Sequence, residues 1–186
     1  MARDSAVRVG EGLGQGPVRD WDDDDTDDKY EIDGTEIRMM SPAIWEHQDV
    51  VHDIRQQFAV FFKGKSCRPF HELGVDLFPE RPKGKKQKVV PDVGVLCDMS
   101  KYKKGIIEGP PDLVVEILSP STASYDMGEK MGKYKRAGVR EYWIVQADGA
   151  RSIKWVFDEK FENGAEVELL GNEIESTIFP GLKVTI

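Results

Sequence analysis

The sequence predicts an α/β domain in which a mixed central sheet is flanked by helices. Three observations carry that prediction. Two runs, Val89 to Cys97 and Pro111 to Leu118, are apolar enough to be central strands. Two segments with helical spacing stand between strand-like runs. The resulting order, ββ-α-ββ-β-α-β-ββ, alternates the two kinds of element and contains no internal repeat, which suits a sheet covered by helices.

Each element has its own signal. Tyr30 to Met39 alternates apolar and polar residues about Asp33-Gly34, a dipeptide suited to a tight turn, and predicts an N-terminal β-hairpin. Ser41-Pro42 reads as a helix start, with the serine as cap and the proline at the first helical position. Ile44, Val51, Ile54, Phe58 and Phe61 follow at helical spacing, and the helix should stop near Gly64. Cys67 to Phe78 reads as one strand, Pro79 to Lys88 as a basic connection, and Val89 to Cys97 as the next strand. Pro111 to Leu118 is a further strand, broken by Ser119-Pro120. A second helix is expected from about Asp126 to Arg136, stopped by Gly138. Glu141 to Gln146, Ile153 to Phe157 and Val167 to Leu170 complete the chain as a strand and a C-terminal β meander.

The chain has 186 residues, the length of one domain, and a formal net charge of −8. Residues 1–36 hold twelve of the 34 acids and four of the 26 bases, so the remainder is electrically balanced. Glycines and an aspartate run dominate residues 1–28, which predicts a disordered acidic arm ahead of a domain over 29–186. The other reading of the arm is an acidic mimic that competes for a basic groove. No apolar run approaches a membrane span, and the arm is neither a secretory signal nor a transit peptide. Cys67 and Cys97 are thirty positions apart, form no close metal pair and give no sign of an oxidising compartment. A cytoplasmic protein is expected.

Several motifs fail. Ala59 to Ser66 imitates a phosphate-binding loop, but alanine stands at the first glycine position and the segment follows a helix. His47 and His52 are five apart and point to different helix faces, so they are no zinc pair. Two carboxylates remain. Asp92 and Glu116 each sit in an apolar strand context, where an ionised carboxylate is costly unless it is paired, hydrogen-bonded or metal-bound. A buried salt bridge is the ordinary explanation for one such acid. Two on successive core strands suggest a shared hard cation, magnesium or manganese, which takes one or two protein carboxylates and keeps its waters. Such an ion activates water and neutralises phosphate charge, and a lysine can stabilise the transition state beside it. Lys130, on the helix after the Glu116 strand, is the candidate; its ordinary reading is a surface partner for Asp126 four residues earlier.

Pro91-Asp92 followed by Glu116-Ile117-Leu118 is similar to the PD-(D/E)-x-K signature of restriction-endonuclease-like nucleases. The run Pro111 to Thr122, continued by Asp126, Lys130, Tyr134 and Gly138 to Val145, resembles the Uma-two family. The resemblance extends to Tyr30 to Gly34, Ser41-Pro42 and His47, and so spans about residues 30–186. It implies a restriction-endonuclease-like fold, metal dependence and homodimers. It assigns Asp92 and Glu116 as metal ligands. The signature's lysine position holds Leu118, and Lys130 takes over that role in the family's variant. His47 matches a position that faces the site, and Glu46 beside it is the alternative source of an extra acid.

Other residues have ordinary readings. Asp112 shares a strand face with Glu116 but suits a solvent-facing strand start, and Glu72 and Asp76 read as a solvated face. Asp126 fits a helix start, and Tyr142-Trp143 fits the core. Arg81, Lys83, Lys85, Lys86 and Lys88 lie within eight residues without an acid, and Lys101, Lys103 and Lys104 follow in the next loop. Phosphate contact and a solvated hairpin tip explain the first group equally well. The functional expectation is therefore a magnesium-dependent endonuclease acting on DNA. The alternative is a non-catalytic nucleic-acid-binding or dimeric interaction module on a nuclease-like scaffold.

Overall fold

The first described element is a hairpin in which β1 (Tyr30–Asp33) pairs antiparallel with β2 (Glu36–Met39). The structure is a computed structural model and describes residues 30–33, 36–39, 44–82, 85–118, 125–158, 160 and 165–186. The expected acidic arm, the Ser41-Pro42 helix start and the Asp-Gly turn at residue 34 lie outside the described residues.

Helix α1 (Trp45–Phe62) buries one face: His47, Val50, Val51, Ile54, Phe58 and Phe62. Each apolar side chain so buried contributes about 1.5–3 kcal/mol before chain entropy is counted. The described helix begins at Trp45, and its cap Ile44 offers no side-chain acceptor. It ends where expected, with Gly64 at φ 79°.

The two strands expected over 67–78 and 89–97 each break in the middle. The first becomes β3 (Arg68–His71) and β4 (Val75–Asp76); the second becomes β5 (Gln87–Val89) and β6 (Val93–Leu96). The breaks coincide in space. Glu72 adopts a left-handed φ of 48°, and its N–H donates to the carbonyls of Pro91 and Asp92. Pro91 has no N–H for a ladder, so the second strand turns at the same point. After the breaks the halves belong to different sheets. Apolar residues stand on both sides of each break, Phe70 and Val75 in the first run and Val89 and Val93 in the second, so periodicity alone gives no warning of the switch.

The chain then forms a short 3₁₀ turn at Met99–Lys101, β7 (Tyr102–Lys103) and β8 (Ile106–Glu108). Lys104 and Gly105 both have positive φ and close that hairpin, where the sequence reading expected a loop. β9 (Leu113–Leu118) leads to a π-helical turn (Asp126–Lys130) that continues as α2 (Met131–Ala137). Gly138, at φ 98°, stops α2 in the left-handed conformation that glycine adopts without steric cost. The meander β10 (Glu141–Gln146), β11 (Ser152–Val156) and β12 (Glu166–Leu170) follows, then a ribbon of β13 (Glu173–Glu175) and β14 (Lys183–Thr185).

The main sheet has the order β12-β11-β10-β9-β6-β3, with β9 and β10 parallel and the other neighbours antiparallel. A second sheet runs β2-β1-β5-β4-β8-β7. Strand alternation divides the core. Leu113, Val115 and Ile117 pack with α1 and the β13–β14 ribbon. Val114 packs with Tyr134 of α2 and with Val75, Val89 and Ile107 of the second sheet. Gly94 is required in β6, because a Cβ there would overlap the Phe70 ring.

Cys67 and Cys97 flank the Arg68–Leu96 pair of β3 and β6 and are joined as a disulfide. The sequence gives no sign of this bond, since the two cysteines form no close pair. Thirty residues of separation concealed a cross-strand neighbour that only the register reveals. Among the described residues no helix is long and apolar enough to cross a membrane.

Candidate active site

The strand break sets up the site. Val93 pairs with Val115 at the end of the antiparallel β6–β9 ladder, and Asp92, the residue just before that paired stretch, comes next to Glu116. Glu116 alternates with Val115 and Ile117 and so lies on the face turned toward α2 and the second sheet, while Asp92 reaches His47 of α1. Both carboxylates are buried, at 7% and 2% relative exposure. Asp92 Oδ2 accepts the backbone N–H of Ile117 at 2.7 Å, which ties the two strands together at this point.

Lys130 reaches the same place from the π-helical turn. Its Nζ lies 2.9 Å from Glu116 Oε1, 2.9 Å from Glu31 Oε1 and 3.8 Å from Asp126 Oδ1. It is buried, so the surface-partner reading fails: Asp126 is only its most distant carboxylate. Single π-helical turns inside helices often occur at functional sites. Tyr134, one turn further along the helix, donates its hydroxyl to Glu116 Oε1 at 2.7 Å. His47 Nε2 lies 3.3 Å from Asp92 Oδ2. Among the described residues its buried Nδ1 has no hydrogen-bond partner.

Glu31, Asp92, Glu116 and Asp126 thus place four buried carboxylates around one lysine and one histidine. Burial pushes the Glu116 carboxyl well above its ordinary range; Lys130 opposes this, while Asp92, Asp126 and Glu31 reinforce it. Burial alone would lower the Lys130 ammonium, but Glu116 and Glu31 hold it well above its ordinary value, so it stays cationic. Burial also works against a charged His47, yet the carboxylates of Asp92, Glu72 and Asp126 raise it overall. Burial and Glu116 push the Tyr134 hydroxyl far up, so it stays a donor.

A hard divalent cation fits this donor set. Two neighbouring carboxylates sit within an excess of negative charge, and Asp92 Oδ1 and Glu116 Oε2 take no part in the bonds described above. Among the described residues no three ligating side chains are arranged to enclose an ion, so the rest of its sphere would be water or substrate.

Of the expected site residues, Asp92, Glu116, Lys130 and His47 come together, and Glu46 does not. Glu46 is exposed on the first turn of α1 while its neighbour His47 is buried. The basic group is largely occupied within the protein. Arg81 stacks over Phe78, Lys88 over Tyr30, and Lys86 pairs with Asp76 at 2.8 Å. Lys85 is exposed, and Lys83 lies outside the described residues. Asp76 is therefore a fully buried partner for Lys86 instead of part of a solvated face. Asp112 stays away from the site, where it accepts the Cys97 N–H and meets Arg140.

Three residues of the site were missed. Glu31 was counted with the acidic arm, although it is buried at 4% exposure. Asp126 was read as a helix start, and Glu72 as solvated. The overlooked signal was paired spacing: Glu31 and Asp33 share a strand face, and Lys130 and Lys133 share a helix face.

Comparison with known proteins gives a family and a fold. A family model described as "Putative restriction endonuclease", Uma2, matches residues 18–186. An uncharacterized protein of Synechocystis sp. is 28% identical over 121 residues, which are 64% of this chain and 62% of that protein. The chain therefore matches less than two thirds of that relative's length. A crystal structure from Anabaena variabilis, titled a putative nuclease belonging to DUF820, superposes with a TM-score of 0.62. It shares 18% identity and 82% of each chain is covered, so it speaks for the fold: the nuclease-like α/β architecture expected from the sequence is present.

Proposed function

The chain belongs to the Uma2 family, and from that premise we propose that it is a metal-dependent endonuclease hydrolysing phosphodiester bonds of DNA. The observation that supports this reading best is the convergence of Asp92, Glu116 and Lys130 from a strand break, a core strand and a π-helical turn. Asp92 and Glu116 would hold magnesium or manganese, which when bound lowers the pKa of a water and neutralises phosphate charge. Lys130 presents its ammonium to charge developing on the phosphoryl oxygens. Ile117 N–H and His47 hold the Asp92 carboxylate in place, and Tyr134 does the same for Glu116. Water is the nucleophile and a strand hydroxyl the leaving group. Lys85, exposed in its loop, would provide phosphate contact. The enzyme acts as a homodimer, as the family resemblance implies.

Purified protein with magnesium should nick plasmid DNA, and Glu116→Ala should abolish nicking. Cleavage that survives this substitution sinks the assignment. The second reading, a nucleic-acid-binding module without turnover, draws on Leu118 at the signature's lysine position. DNA affinity that is retained without any metal-dependent cleavage would favour it.

A further inference from the structure

We infer that Glu31 is a positioning residue for Lys130, which makes the N-terminal hairpin a working part of the site. The catalytic half of this inference rests on the nuclease reading; the structural half does not. Glu31 Oε1 accepts the backbone N–H of Val90 at 3.1 Å and contacts Lys130 Nζ at 2.9 Å. Val90 lies two residues before Asp92. One carboxylate oxygen therefore joins the hairpin, the segment leading to Asp92, and the helix that delivers the lysine. A lysine side chain is long and flexible. Glu116 alone would give Lys130 one close anchor, whereas Glu31 supplies a second at the same distance. Burying a carboxylate here is costly unless it is fully paired, and an apolar residue could close the same contact more cheaply.

The fold also supplies an internal control. Two residues along β1, Asp33 Oδ2 meets Lys133 Nζ at 2.8 Å, and Lys133 also contacts Glu129 and the Tyr125 hydroxyl. This second clasp joins the same strand to the same helix without touching Asp92 or Glu116. A change at Asp33 loosens the docking of the hairpin; a change at Glu31 loosens the lysine as well.

The test uses the full-length protein with Glu31→Gln, Glu31→Asp and Asp33→Asn, each checked for an intact fold by circular dichroism. Acetic anhydride labelling read by peptide mass spectrometry reports the accessibility of Lys130, and plasmid nicking with magnesium reports kcat and KM. Glu31→Gln should raise the Lys130 labelling rate and lower kcat, each on the order of tenfold, with KM unchanged. Glu31→Asp, which keeps the charge, should recover part of both and serves in place of Glu31→Gln if that variant does not fold. Asp33→Asn should leave Lys130 labelling at the wild-type rate. Unchanged Lys130 labelling in the Glu31 variants overturns the inference, as does Asp33→Asn reproducing both effects. Raised labelling with unaltered kcat overturns it too. If the wild type shows no cleavage, the nuclease reading fails and the labelling contrast alone decides the role of Glu31.

Discussion

Glu116 draws its character from its neighbours. The same carboxylate in water would be an ordinary acid; here burial and three nearby carboxylates raise it, while Lys130 and the Tyr134 hydroxyl hold Oε1. Removing only the hydroxyl isolates one of these contacts. Tyr134→Phe should cost about 1.5–3 kcal/mol, the contribution of a hydrogen bond to a charged group, measured by urea unfolding. A cost near zero would mean that the bond adds nothing. Asp92, Glu116 and Lys130 were legible in the sequence because charged residues in apolar or helix-start contexts stand out. Glu31 was not, because it follows a long run of acids and charge counting assigned it to them. Glu46 and His47 show the reverse limit: adjacent helix residues point about 100° apart, and only coordinates decide which faces inward.

Elements were legible where local chemistry defines them. The two strands of the N-terminal hairpin, the apolar spacing of α1 and Gly138 after α2 each have a local cause, and each was placed within a few residues. The strand breaks at Glu72 and Pro91-Asp92 were hidden because they depend on two distant segments meeting. The cross-strand disulfide was hidden for the same reason. Reducing it should lower stability by roughly 2–4 kcal/mol, since a closed loop of this length constrains the unfolded chain. Thermal melting with and without a phosphine reductant measures the difference, and coincident curves would show that the bond adds no stability.

The clasp between β1 and α2 carries a pH signature. Burial pushes the Asp33 carboxyl up, but hydrogen bonds from Lys133 and Gln87 outweigh it and hold it below its ordinary value. Its contribution is therefore full above the unfolded carboxylate pKa of about 3.9 and fades as pH falls through the lower folded value. The melting difference between wild type and Asp33→Asn should be constant above about pH 5 and shrink below pH 4. A difference that grows on acidification has the wrong sign for this pair.

At the scale of the whole molecule, the net charge of −8 conceals a division. Residues 1–36 hold the entire excess, and residues 37–186 balance. Glu31 shows that this boundary is not the boundary of the fold, since the most acidic segment ends against a buried site residue. The family match, which starts at residue 18, likewise begins inside the acidic stretch. We propose that residues 1–28 are nonetheless dispensable for folding. Their deletion should leave the melting temperature unchanged and tighten DNA binding at low salt by removing like charge. Loss of cooperative unfolding in the truncated protein would show that the arm belongs to the domain.

We propose that Lys130, delivered by a π-helical turn, completes the pair of Asp92 and Glu116 to make a phosphodiesterase. The most direct measurement is the single-turnover rate of plasmid nicking with saturating magnesium, for the wild type and for Lys130→Met. Wild type should cleave in a metal-dependent way, and the variant should lose on the order of 100-fold or more, the scale of removing one preorganised charge-stabilising group. Equal rates in the two proteins, or no metal-dependent cleavage by the wild type, would contradict it.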